Sequence, residues 1–71
     1  MEPRTLKRGE LTRIIIGTVI AQDEPIDARR LTELLNSWGI MVTAKHMSVR
    51  LNELARDGRI ERVSKGLYEG V

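Results

Sequence analysis

The sequence predicts a mainly α, α+β domain in which three helices are followed by a short C-terminal β-hairpin. Three observations lead there. Apolar residues recur at helical spacing in three blocks, and strong chain breaks at Asp23–Pro25, Trp38–Thr43 and Asp57–Gly58 separate them. After Gly58 the period changes to alternation.

The first block, about Glu10 to Gln22, places Leu11, Ile14, Ile15 and Thr18 along one helical face, with Ile16 and Ile20 nearly opposite. The run Ile14–Ile15–Ile16 has high strand propensity, so a strand competes with the helix here. As a helix, its apolar surface is wider than one core contact requires. Either a small domain wraps it from both sides, or Ile16 and Ile20 form a self-association surface.

In the second block Asp27 suits an N-cap, because its carboxylate can accept from the free amides of a first helical turn. Ala28, Leu31, Leu34, Leu35 and Trp38 share one stripe, and Arg29, Arg30, Glu33 and Ser37 face away. Gly39 ends the helix by tolerating the left-handed conformation. Just ahead, Pro25–Ile26 reads as a short extended piece. Trp38 is expected as a core plug at the helix end, with a binding platform as the other reading.

The third block opens on Thr43 as an N-cap. Met47, Leu51, Leu54 and Ala55 form its inward stripe, and Gly58 closes it. Lys45, Ser48, Val49, Asn52 and Arg56 cluster on the opposite side. In the tail, Ile60, Arg62 and Ser64 alternate with Glu61, Val63 and Lys65, and Lys65–Gly66 supplies a turn before Leu67, Tyr68 and Glu69. Tyr68 is expected to close this hairpin against the body of the domain.

With 71 residues the chain reads as one domain, 1–71, with 1–9 flexible. A domain this size buries only about 60% of its unfolded surface, so its stability should be marginal. No cysteine is present, which removes disulfides, thiolate metal sites and cysteine nucleophiles and suits a reducing cytoplasm. Apolar residues at 41% and charged ones at 31% describe a soluble globular domain. The longest apolar stretch, Ile14 to Ala21, is far short of the ~20 residues a membrane span needs, and no targeting segment is read at Met1–Glu10. The net charge of +2 is uneven. It comes entirely from Met41–Val71, where Lys45, Arg50, Arg56, Arg59, Arg62 and Lys65 outnumber Glu53, Asp57, Glu61 and Glu69.

From Leu51 to Val63 the run LNELARDGRIERV resembles the winged helix-turn-helix family, in which a recognition helix ends in paired leucines, then glycine, then the first wing strand. The stretch from Gly58 to Tyr68, GRIERVSKGLY, is also similar to the wing of N-terminal domains in abortive-infection antitoxins. The broad resemblance covers roughly Leu11 to Tyr68, with Pro25–Ile26 in place of the small first strand. It implies a regulator that binds double-stranded DNA, with the recognition helix at about 44–57 in the major groove and the wing at about 59–69 on the backbone. Carried over, Lys45, His46, Ser48, Val49 and Asn52 fall on the recognition surface, Arg62 and Lys65 on the wing, and Arg29 at the start of the second helix. One departure is that the stretch between Gly39 and Met47 is about two residues longer than the family's turn.

The residue chemistry supports the same picture independently. Lys45, Arg62 and Lys65 offer charge to phosphates. Asn52 can pair bidentately with adenine, Val49 can meet a thymine methyl, and Ser48 can bond a base edge or a phosphate. The plain alternative is that these side chains are simply solvated, and for His46 a partly exposed residue near a helix start is the competing reading. Enzymatic function is not expected. His46 and Ser48 are two apart on a helix and do not face each other, and no metal-ligand set, cofactor motif, small-molecule site or phosphate-binding glycine loop is present. Two aromatics are too few for stacking on single strands. The expected partner is double-stranded DNA, with homodimerisation through Ile16 and Ile20 supplying a two-part site. A protein–protein module using the same surface is the alternative.

Overall fold

Three helices and a three-stranded antiparallel sheet make up residues 9–71, the part of the chain described by the computed structural model. The expected flexible arm over 1–9 lies outside the described residues except at Gly9, which caps the first helix. The elements are α1 (Glu10–Ala21), β1 (Ile26–Asp27), α2 (Ala28–Ser37), α3 (Ala44–Arg56), β2 (Ile60–Ser64) and β3 (Leu67–Gly70). In the sheet β3 is central, flanked by β1 and β2. The order and boundaries agree with the sequence reading to within a residue or so. No helix among the described residues is long and apolar enough to cross a membrane.

The isoleucine run is helical. Ile15 is fully buried, together with Val19 and Thr18. Burying one such side chain is worth ~1.5–3 kcal/mol, against a helix-propensity penalty of at most ~0.7 kcal/mol, so packing decides. Thr18, polar and buried, donates its hydroxyl to the Ile14 carbonyl at 2.6 Å.

Asp27 does two things at once. Its extended backbone pairs with Leu67 of β3, while its carboxylate accepts from the Arg30 amide at 2.7 Å and caps α2. An N-cap residue needs the same β-region geometry as a strand residue, so one conformation serves both. The paired segment is therefore Ile26–Asp27 rather than the expected Pro25–Ile26, since proline has no amide to give to a ladder.

Both α2 and α3 end in Schellman motifs. The Ile40 amide reaches back to the Leu35 carbonyl and Gly39 to Asn36, both at 3.0 Å, with Gly39 at φ 83°. Arg59 and Gly58 repeat the pattern on Leu54 and Ala55. The first of these overturns the placement of Trp38. The reversal carries Ile40 into the core beside Leu35, leaving it 3% exposed, while Trp38 stays 47% exposed. The place that stripe counting assigns to tryptophan is filled by the residue two positions later. The Asn36 side-chain carbonyl then accepts from the Val42 amide at 3.3 Å, pinning the longer α2–α3 connection.

The hairpin corrects the expected alternation. Its register pairs Ile60 with Gly70, Glu61 with Glu69 and Arg62 with Tyr68, then jumps to Ser64 with Leu67, so Val63 is bulged out. Burial explains the jump. A plain two-residue turn at Lys65–Gly66 would pair Val63 with Tyr68 and turn Ile60 outward. The bulge lets Ile60 and Tyr68 share the buried face, at the cost of leaving Val63 partly exposed. Ser64 consequently leaves the face of Ile60 and Arg62. The turn is not the type I′ form, which needs positive φ at both central residues, because only Gly66 has it.

Candidate nucleic-acid interface

The inward stripe of α3 orients everything on its other side. Met47, Leu51 and Leu54 are buried against α2 and the sheet, so Lys45, Ser48, Val49, Asn52 and Arg56 emerge together into solvent. Val49 is 54% exposed, an apolar side chain with polar and cationic neighbours on its helix. The helix start is held by Thr43, whose hydroxyl accepts from the His46 amide at 3.1 Å. The His46 side chain itself is exposed beside this outer face.

The first turns of α2 and α3 carry no acidic residue within the helix, and both carry cations: Arg29 and Arg30 on α2, Lys45 on α3. A helix N-terminus is already partly positive, so cations there oppose the macrodipole and cost stability. At the start of α3 their summed field attracts anions, whereas at α2 the capping Asp27 carboxylate offsets part of it. Arg29 is well exposed, and its Nε lies 3.9 Å from Glu33 Oε1, a solvent-screened pair that holds it only weakly.

The hairpin has two unlike faces. Arg62 shares a face with Ile60 and Tyr68, whose side chains enter the core, so it leaves β2 on the side where the helices lie. Glu61 and Glu69 stand directly opposite one another on the outer face. Lys65 occupies the exposed tip. Because Asp27 pairs with Leu67, the start of α2 with Arg29 sits near that tip. The α1–β1 connection is acidic instead, with Asp23, Glu24 and Asp27 around a shallow open depression.

The expected site residues thus fall in three places: the outer face of α3 (Lys45, Ser48, Val49, Asn52, with His46 at its flank), the hairpin (Arg62, Lys65) and the first turn of α2 (Arg29). All are exposed. Ile16 and Ile20 differ in exposure. Ile16 is partly buried and packs against the core, whereas Ile20 remains 57% exposed. Periodicity alone did not single out Arg50, which lies beside the inward stripe of α3. Among the described residues its Nε is the one buried side-chain polar atom without a hydrogen-bond partner.

No protein-family model matches the chain, and no curated protein or solved structure gives a significant match to it.

Proposed function

We propose that this chain is a winged helix-turn-helix domain that binds double-stranded DNA sequence-specifically and acts as a small cytoplasmic transcriptional regulator. The observation that carries the reading is the outer face of α3, where Lys45, Ser48 and Asn52 emerge together around the half-exposed Val49. A helix of this width fits the major groove, which presents both hydrogen-bonding edges and the thymine methyl. In this reading Ser48, Val49 and Asn52 meet base edges, with His46 at the rim. Lys45, Arg62, Lys65 and Arg29 hold phosphates. The hairpin meets the backbone by its Arg62 side and its Lys65 tip, because Glu61 and Glu69 on the outer face would be repelled there.

One helix reads only a few base pairs, so specificity calls for two copies on a two-part site. Ile20 is the exposed apolar residue of α1 that a second copy would cover. Replacing it by glutamine should shift sedimentation toward monomer, and an unchanged mass would remove this contact.

A second reading, a winged-helix module for protein contact without DNA, is favoured by Trp38 and Met41. They stand 47% and 66% exposed on the α2–α3 connection, where groove binding needs no apolar surface. Fluorescence anisotropy with a mixed-sequence duplex over a salt series separates the two. DNA binding requires affinity that falls steeply with salt. A flat or absent response supports the protein module.

A further inference from the structure

Arg50 has no hydrogen bond or ion pair among the described residues, although its Nε is out of contact with solvent and the residue is partly buried. Buried polar groups are ordinarily paired, and a cation more strictly than a neutral group. A partner is within sequence reach. Glu53 lies one turn on, at a spacing where opposite charges on a helix meet, yet no ion pair forms. The guanidinium is therefore desolvated along one edge and left without a counter-charge among the described residues. Side chains on a helix lean toward its N-terminus, which for Arg50 is the direction of Met47 and His46 one turn earlier. That is toward the end of α3 bearing Lys45 and the open amides of the first turn.

We propose that Arg50 holds a backbone phosphate of the bound duplex. Its guanidinium fork donates to the phosphate oxygens and gains on binding the counter-charge that the described residues do not supply. The proposal rests on the reading of α3 as the nucleic-acid face and adds a phosphate contact beside the base-reading side. Arginine suits this better than lysine, because a planar fork can donate two parallel hydrogen bonds to one phosphate while its stem stays packed.

The test compares wild type with Arg50→Met and Arg50→Lys, by duplex anisotropy over a salt series and by thermal unfolding. Methionine keeps the packing stem and removes the unsatisfied donor, so Arg50→Met should unfold at a Tm equal to or above wild type. The same variant should bind a mixed-sequence duplex about tenfold more weakly. The slope of log affinity against log salt should flatten by about one unit. Arg50→Lys should recover only part of the loss. If wild type binds and Arg50→Met binds equally with the same slope, the Arg50 assignment is wrong while the DNA reading stands. A lowered Tm with unchanged duplex affinity would make Arg50 a structural residue, which also overturns the proposal. If wild type shows no salt-dependent binding, the DNA reading fails and this contact falls with it.

Discussion

Ile20 of α1 and Gly70 of β3 meet so closely that a Cβ on residue 70 would lie 2.9 Å from Ile20 Cγ1 and 3.0 Å from Ile20 Cα. The Gly70 backbone lies directly against the Cα and side chain of Ile20. The inner face of the hairpin end, where Ile60 and Tyr68 are buried, is closed by α1 at this point.

Gly70→Ala should therefore destabilise the fold by ~1–3 kcal/mol, since the backbone must move to admit one methyl group. Equilibrium urea unfolding reads this as a lowered midpoint. Adding Ile20→Ala should restore only part of it, because the helix backbone at residue 20 still stands in the way. An unchanged midpoint for Gly70→Ala would mean that α1 does not seat on β3 this way.

Trp38 and Ile40 should behave opposite to what their sizes suggest. Ile40→Ala empties a buried position beside Leu35 and should cost ~2–4 kcal/mol, whereas Trp38→Ala should stay within about 1 kcal/mol. Acrylamide should quench the emission of the folded protein readily, because Trp38 is its one tryptophan. Strong protection from quenching would put the indole back in the core.

The opposed carboxylates of Glu61 and Glu69 work against the hairpin, since like charges directly across a strand pair destabilise it. Glu61→Lys converts the pair to an attractive one and should raise stability by ~0.2–1 kcal/mol, a gain that shrinks as salt screens it. The register is wrong if Glu61→Lys gives no gain while Arg62→Glu costs stability as though Arg62 stood opposite Glu69.

Caps and stops carry their own chemistry, so Asp27, Gly39, Thr43 and Gly58 marked the helix ends correctly in the sequence. The stripes of α2 and α3 were readable because burial on one side of a helix imposes a fixed spacing. Trp38 was misplaced because a Schellman reversal sends the residue after the glycine into the core, a tertiary choice that periodicity cannot display. The hairpin register was hidden for a similar reason. Only the joint burial of Ile60 and Tyr68 requires the bulge at Val63, and that bulge decides which face carries Arg62. The exposed positions of Lys45, Ser48, Val49 and Asn52 followed from the inward stripe alone. That Arg50 finds no partner among the described residues depends on tertiary packing, which spacing does not display.

The helix start at Thr43 links stability to the proposed interface. Thr43→Ala should cost about 1 kcal/mol of stability and fray the first turn that holds Lys45, whereas Thr43→Ser should preserve both. Thermal unfolding with amide hydrogen exchange at residues 44–47 measures this. Equal protection in Thr43→Ala and wild type would show that the cap does not hold the helix start.

Base reading and phosphate holding should separate by substitution. Asn52→Ala and Val49→Ala should each reduce the preference for a selected duplex over a scrambled one, by ~1–3 kcal/mol for a bidentate base contact and less for a methyl contact. Lys45→Ala should weaken both duplexes alike. If Asn52→Ala weakens both equally as well, α3 does not read bases through that residue.

The most direct measurement is a titration of the isotopically labelled protein with a mixed-sequence duplex, following every backbone amide by NMR. Docking through α3 and the hairpin requires the largest shifts at Lys45–Asn52, at Arg62–Lys65 and at the first turn of α2. The acidic Asp23–Glu24 connection should change least. Shifts centred on Trp38–Met41 or on the acidic connection, or none at all, would contradict it.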